Sequence, residues 1–348
     1  MLRIGVIGCG RIAQDAHLPV LARLSGVAVT ALADPDPQQR ELAQQFAPAA
    51  QSFAEGGELL DNAALDAVVI ASPPDLHARL AADAIARSLH VYLEKPIATT
   101  LAQAAMLLDT WKRASVAAMA GFNYRYHPLY QEARHLLLGG AIGKPLAVSS
   151  MFTSSAPVSG TWRSRRSAGG GALLELGSHH IDMVHYLFGE TALEVKAQMS
   201  QALGEGASAT LQMQLASGLL VSSLFSFGTV DEDRFEIYGD QGSLRINRHL
   251  ATRCQLIPAR NQRARLRQIR ASFDFLSRPG ALLEKQRSAS HEPSYARALR
   301  AFVDSIRTGE PGYPNLSDGF RALSAIIAAE ESAKTGSSAR VFANGGML

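Results

Sequence analysis

Cysteine is nearly missing from this chain of 348 residues: only Cys9 and Cys254 occur. Two thiols make no disulfide framework, and their scarcity fits a reducing compartment, the cytoplasm. No apolar run is long enough to cross a bilayer, so no membrane partner is expected. Val6-Ile7-Gly8-Cys9 mimics a lipidation box, but eight residues cannot hold a charged leader and an apolar stretch. Charge is thin as well, 19% of residues against 47% hydrophobic. That balance describes a soluble globular protein, long enough for two domains. Internal repeats and low-complexity tracts are lacking. The net charge of +3 hides one exception. Residues 245–287 hold eleven Lys or Arg against Asp274 and Glu284, a local +9 that leaves −6 for the remainder.

What is present, at the start, is a glycine-punctuated turn. Residues 5–13 read Gly-Val-Ile-Gly-Cys-Gly-Arg-Ile-Ala, between a strand-like run (Leu2, Ile4, Val6, Ile7) and a helix-like one (Ile12, Ala13, Ala16, Leu18). Gly8 permits a tight turn off the strand. Gly10 lets a pyrophosphate approach the backbone, and Ala13 lets helix and strand pack closely. Phosphates would sit at the helix N-terminus, where free N–H groups and the dipole favour negative charge. A second apolar run, Val27 to Ala33, ends in Asp34, 24 residues past Gly10. A carboxylate there accepts from ribose hydroxyls and repels a 2′-phosphate, so NAD is favoured over NADP. Arg11 can partly offset that repulsion.

The first 122 residues alternate strand and helix patterns, as a doubly wound parallel sheet does. Strands read at 2–7, 27–33, 49–52, 66–71, 90–94 and 116–121, and helices near 11–24, 37–46, 75–88 and 101–113. Ser72-Pro73-Pro74 and Glu94-Lys95-Pro96 stand at strand exits, where such sheets hold ligands. After about residue 123 the period changes. A helix near 128–138 and a strand near 145–153 precede a helix at 172–188. Short alternating runs at 193–202, 207–215, 219–227, 233–239 and 243–247 read as an antiparallel sheet. Residues 248–292 look irregular. Helices near 294–308 and 317–334 close the chain, with Gly309 and Gly336 placed as left-handed caps.

Three groups carry candidate chemistry. Lys95 can set its ammonium beside a reacting oxygen, its pKa drawn toward neutrality by partial burial. A surface lysine paired with a nearby acid fits the spacing equally. Pro96 raises the chance of a cis peptide before it. The second group is GGGALLELGSHHID, residues 169–182. In a helix, Glu175 and His179 are i, i+4 neighbours and Asp182 lies nearly on the same face. An imidazole between carboxylates is a proton acceptor with a fixed tautomer; a satisfied core histidine is the plainer alternative. Gly177 points away, which suggests close packing behind. His180 and His185 diverge from His179 by about 100° and 120°, so no metal centre is expected. The third group is Phe122 to Pro128, with Trp162 and Arg163. Asn123 and Arg125 should enter the cleft, Trp162 offers a flat apolar face, and Arg163 can hold an anionic substrate group. Arg165 and Arg166 read as a basic surface.

Together these residues resemble the Gfo/Idh/MocA family of NAD(P)-dependent oxidoreductases. The carriers are GCGRIA at 8–13, Asp34, SPPDLH at 72–77, EKP at 94–96, GFNYRYHP at 121–128, GGGALLELGSHHID at 169–182 and YGDQGSLRI at 238–246. The resemblance covers nearly the whole chain except 248–292. It implies a Rossmann domain at 1–122 and a substrate-binding, oligomer-forming α/β domain at 123–348 with a large, mostly antiparallel open sheet. That sheet often forms the subunit interface in the family, giving homodimers or homotetramers. Lys95 and His179 match the catalytic lysine and histidine. Ser72, His77 and Glu94 match positions lining nicotinamide and ribose, and Glu175 replaces a common aspartate. With Gly8, Gly10, Arg11, Ile12, Asp34 and Lys95, they form the expected NAD site.

The expected function is NAD-dependent oxidation of a secondary alcohol on a sugar, cyclitol or sugar derivative. His179 takes the proton, Lys95 stabilises the developing alkoxide, Glu175 and Asp182 tune the pair, and Asn123, Arg125, Trp162 and Arg163 hold the substrate. Two alternatives use the same cofactor: bond cleavage through transient oxidation, and a non-catalytic sensor. The Arg-rich segment lacks a recognition motif, so nucleic acid is not an expected partner.

Overall fold

The structure is a computed structural model that describes residues 1–156, 162–200, 206–259, 280, 283, 286 and 292–342. The chain divides into two units. One holds 1–123, 167–169 and the described part of 288–323; the other holds 124–166 and the described parts of 170–287 and 324–348. The expected break at 122 lies one residue from the end of that first segment. The first unit also takes in a helix near the C-terminus.

The first unit is built on six parallel strands: β1 (Leu2–Ile7), β2 (Val27–Ala33), β3 (Gln51–Phe53), β4 (Ala67–Ile70), β5 (His90–Leu93) and β6 (Ala118–Ala120). Their order is β3-β2-β1-β4-β5-β6, so the winding reverses between β1 and β4. Every residue of β4 is buried, as a central strand covered on both faces requires. The helix after the glycine turn is broken. A π-type turn at Ala13–His17 leads into α1 (Leu18–Leu21). Pro19 has no N–H to give the carbonyl four residues back, so the ladder widens there.

Beyond α1 come α2 (Pro37–Gln44), α3 (Gly56–Asn62), α4 (Pro74–Ala86) and α5 (Leu101–Lys112). Asp36 caps α2 through Gln38 N, and Thr100 caps α5 through Gln103 N. The sequence pattern does not reveal α3. It opens on Gly56-Gly57, which reads as a turn, and Glu55 makes no side-chain cap. Near the C-terminus, α8 (Pro293–Thr308) lies in this unit. Its Phe302 meets Tyr92 edge-on at 5.7 Å, its Tyr295 meets His17 at 5.8 Å, and Arg307 donates to Ser25 O at 2.7 Å.

The second unit contains α6 (Pro128–Leu138), α7 (Ser178–Phe188) and eight strands. These are β7 (Pro145–Ser154), β8 (Ala192–Ser200), β9 (Ser208–Leu215), β10 (Leu220–Phe227), β11 (Glu232–Gly239), β12 (Gly242–Asn247), β13 (Gln255–Pro258) and β14 (Ala339–Arg340). Their order is β13-β12-β11-β7-β10-β9-β8-β14, antiparallel throughout except β7 with β10. β13 corrects the reading of 248–292 as wholly irregular: it pairs with β12. The rest of the Arg-rich stretch, from 260 to 291, lies outside the described residues except at 280, 283 and 286. The last helix, α9 (Leu316–Thr335), starts and ends within two residues of its expected bounds. Gly309 and Gly336 take φ +73°, as caps should.

Alternation along β9 and β10 sends Leu211, Met213, Val221 and Phe225 to one face. That face packs on α6 and α7: Tyr130 meets Phe235, and His180 meets Phe225 and Phe235. A Cβ on Gly177 would stand 3.1 Å from the Phe225 ring, which confirms the close approach expected there. The opposite face carries Lys196, Gln212, Ser222, Arg234 and Glu236 around a cavity of about 600 Å³.

Candidate active site

In the first unit the glycine turn has the form its spacing predicts. Gly8 adopts φ +91°, and a Cβ there would lie 2.5 Å from Ala71 C and Ser72 N. The turn therefore packs backbone to backbone against the exit of β4. A Cβ on Gly10 would meet nothing within 4 Å, which is the open approach a pyrophosphate needs. Asp34, at the end of β2, accepts from Cys9 N at 2.8 Å and Asp36 N at 2.9 Å. Its carboxylate is thereby aimed, and each oxygen keeps acceptor capacity for a ribose hydroxyl. Ile12 is half-buried behind the turn. Arg11 is exposed and pairs with Asp15 at 3.1 Å. The glycines and the carboxylate thus fit a dinucleotide. The Cys9 thiol is pushed up to about 12 by burial and then by Asp34, so it stays protonated inside this turn.

Lys95 leaves the carboxyl end of β5 half-buried, and the Lys95–Pro96 peptide is cis. Behind it, Glu94 is nearly buried. Its Oε1 lies 3.0 Å from His17 Nε2, and its Oε2 accepts from Lys95 N at 3.1 Å. Burial pushes the Glu94 carboxyl up, but His17 and Lys95 outweigh it and hold the group below the usual carboxylate range.

His77 takes a different place from the one implied for it. It is 1% exposed, with Nδ1 2.7 Å from Pro96 O and Nε2 2.8 Å from Ser72 O. It ties the two proline-bearing turns together from behind. A neutral imidazole has a single N–H for those two carbonyls. Burial pulls its pKa down, against the carbonyls and Glu94. Ser72 itself is half-buried on the turn. Asn123, expected to reach substrate, is 1% exposed and donates to Ser294 Oγ at 2.7 Å. It anchors the start of α8.

In the second unit, a π-type turn at Leu173–Gly177 precedes α7. The wider turn offsets Glu175 from the i, i+4 register with His179 that a regular helix gives. Each of the two carboxylates expected to flank His179 has its own guanidinium. Arg163 Nε donates to Glu175 Oε1 at 2.7 Å and Oε2 at 3.0 Å. Arg125 grips the buried Asp182 through two bonds, of 2.9 and 2.6 Å. Arg163 also lies over the Trp162 ring at 5.1 Å, and Arg166, read as surface, bonds Glu330. The two cations expected to meet substrate are therefore neutralised.

The imidazole of His179 stacks on Tyr124, centroids 4.2 Å apart and planes 18° from parallel. Tyr124 Oη donates to Asp233 at 3.0 Å. Asp233 is fully buried and also receives His180 Nε2 at 3.1 Å and Arg248 Nε at 2.8 Å. Burial pushes the Asp233 carboxyl up, but Arg248 and His180 outweigh it and hold it far below its ordinary range. His180 is thus structural, as expected. Spacing along the chain does not single out Asp233 or Tyr124, though a signal exists. Asp233 shares its strand parity with Phe235 and Ile237, so an acid falls on the inward face.

Family models match both parts of the chain. One, described as "Oxidoreductase family, NAD-binding Rossmann fold", matches residues 2–122. The other, "GFO/IDH/MocA C-terminal domain", matches residues 130–245. The chain is 26% identical over 343 residues to myo-inositol 2-dehydrogenase of Thermotoga maritima, covering 95% of this chain and 96% of that protein. It is 34% identical over 196 residues to glucose-6-phosphate 3-dehydrogenase of Bacillus subtilis, covering 54% of each. Its fold matches levoglucosan dehydrogenase in complex with NADH and levoglucosan, with a TM-score of 0.84 and 24% identity over 98% of this chain and 99% of that one. The glycine turn, the aimed Asp34 and the mixed open sheet have the same explanation as these matches: the chain belongs to the Gfo/Idh/MocA family of NAD-binding oxidoreductases.

Proposed function

We propose that the protein is an NAD-dependent dehydrogenase acting on a secondary alcohol of a sugar, cyclitol or sugar derivative. One observation carries the reading. Lys95 emerges half-buried from the carboxyl end of β5, in the same parallel sheet whose first turn leaves Gly10 open and Asp34 aimed. A dinucleotide site with a cation at a strand exit has the parts a hydride-transfer centre needs. Bound NAD supplies the hydride acceptor.

His179 takes the hydroxyl proton as general base. The Lys95 ammonium, at a strand exit of the dinucleotide-binding sheet, can stabilise negative charge growing on an alcohol oxygen. Glu94, fixed by His17, holds the Lys95 backbone. Glu175 and Asp182, each held by an arginine, keep the surroundings of His179 polar and close to neutral. Trp162 and Arg163 offer the substrate a flat face and an N–H donor. The activities of the inositol and glucose-6-phosphate relatives support the substrate class. The cytoplasm is the proposed compartment. The face of the eight-stranded sheet opposite α6 and α7 is the proposed subunit interface of a homodimer or homotetramer.

The test is a panel of inositols, aldoses, polyols and sugar phosphates, with NAD and NADP in parallel, read by absorbance of reduced cofactor. NAD-dependent turnover on at least one alcohol is expected. Lys95→Ala should lower kcat by about 100-fold or more, with NAD affinity within about threefold. A Lys95→Ala enzyme with near-normal turnover would remove Lys95 from the mechanism.

A further inference from the structure

We propose that Tyr124 is a positioning residue for His179, acting as a shelf that Asp233 holds in place. The inference rests on His179 being the base, and its geometry lies within one unit. A stack at 4.2 Å and 18° is close to parallel and covers one face of the imidazole. Phe152 adds a tilted contact at 6.1 Å. Offset aromatic stacks have a preferred geometry, so a fixed phenol fixes the ring above it.

The phenol is itself fixed from several elements. Its hydroxyl donates to Asp233, on β11. Arg248, just after β12, bonds that carboxylate and lies over the Tyr124 ring at 4.7 Å. Arg248 N also donates to Asp233 O at 3.0 Å. His180, the residue after His179, donates to the same carboxylate from α7. The Tyr130 ring of α6 stacks on Tyr124 at 5.7 Å. The base is thereby tied to β11, β12 and α6 as well as to its own helix.

A buried carboxylate with four side-chain donors, Tyr130 Oη at 3.5 Å being the longest, is costly to desolvate, and it holds its partners in one arrangement only while that geometry is complete. General-base catalysis gives such an arrangement a use, because proton transfer needs the acceptor nitrogen within hydrogen-bond reach of the hydroxyl. An imidazole turned about χ2 presents carbon where nitrogen is required. Tyr124 restricts that rotation without touching the substrate's oxygen.

The test reads His179 directly. Carbethoxylation by diethyl pyrocarbonate is followed at the His179 peptide by mass spectrometry, in the wild type, Tyr124→Phe and Tyr124→Leu. Tyr124→Phe keeps the ring, leaves Asp233 with His180, Arg248 and Tyr130, and should react within about twofold of wild type. Tyr124→Leu removes the shelf and should react about two- to tenfold faster, the range a stacked pair is worth. In turnover, Tyr124→Leu should lower kcat about tenfold or more at unchanged KM for NAD, and Tyr124→Phe should recover most of it. Equal carbethoxylation in wild type and Tyr124→Leu overturns the proposal, as does a Tyr124→Phe variant as reactive as Tyr124→Leu. His179→Asn with near-normal turnover defeats the base assignment instead, and the labelling result then still decides whether Tyr124 holds the ring.

Discussion

Two glycines separated by a single residue have opposite reasons to exist. Gly8 is needed by the fold. Its φ of +91° disfavours any L side chain, and a methyl would stand 2.5 Å from backbone atoms that cannot move aside. Gly10 is free of that constraint, since a methyl there meets nothing within 4 Å, and its proposed role is to leave the backbone open to the dinucleotide. Gly8→Ala should therefore destabilise the protein by roughly 1–3 kcal/mol. Gly10→Ala should melt within a few degrees of wild type but bind NAD about tenfold more weakly. Thermal melts with NAD titrations separate the two, and a Gly10→Ala protein of normal affinity refutes the ligand-side reading. The form of this turn, the place of Asp34 at the end of β2 and that of Lys95 at the end of β5 were legible in the sequence, because they follow from local spacing. The roles of His77 and Asn123 were not. Their partners, Pro96 and Ser294, stand 19 and 171 positions away, and a pattern read along the chain carries no information about such pairs.

At the scale of elements, β1 to β12 were read to within about two residues because burial imposes either continuous or alternating apolar patterns, whereas the short β13 and β14, whose residues are only partly buried or exposed, were not read. The helices show where periodicity stops helping. α3 hides behind two glycines, and the helix carrying His179 begins with a π-type turn that no 3.6-residue template anticipates. Strand pairing also has a titratable component. His90, opening β5, accepts the Ala117 N–H through Nδ1 at 2.9 Å as the chain enters β6. Accepting requires an unprotonated nitrogen, and burial lowers the His90 pKa, against the nearby Asp66. Between that lowered value and the unfolded value of about 6.5, the unfolded chain binds more protons than the folded one. This contribution to stability is complete above the window and fades as pH falls through it. Urea melts from pH 7.5 to 5.5 should show stability declining toward acid. In His90→Asn, which keeps an acceptor but cannot titrate, the decline should be shallower. Some slope should survive, because burial lowers His77 in the same direction. An unchanged slope in His90→Asn would assign the effect elsewhere.

At the scale of the whole molecule, the asymmetry of the eight-stranded sheet stands out, since α6 and α7 pack against one face only. Along β9 and β10 the outward positions include Thr210, Gln212, Gln214, Leu220, Ser222 and Leu224. None of these is charged; Glu194 and Lys196 on β8, Glu232, Arg234 and Glu236 on β11 and Arg245 on β12 add three charges of each sign. Exposed Leu220 and Tyr238 add apolar area to the sheet. A face meant only for water tends to carry more Lys and Glu. Long, balanced in charge and weakly apolar, this face is suited to a self-complementary contact, in which each residue meets its symmetry mate's neighbours. An interface of standard size buries about 800 Å² on each partner, an area that several adjacent strands can supply. Leu224→Glu, on the face opposite the buried Phe225, places a carboxylate on the proposed interface. Light scattering should then report a smaller particle than wild type, while the melting profile of the dilute subunit keeps a single cooperative transition. Because the cofactor and base residues lie on other elements, NAD binding should persist in the dissociated subunit. A Leu224→Glu protein with the wild-type particle mass would mean that this face is not where the copies meet.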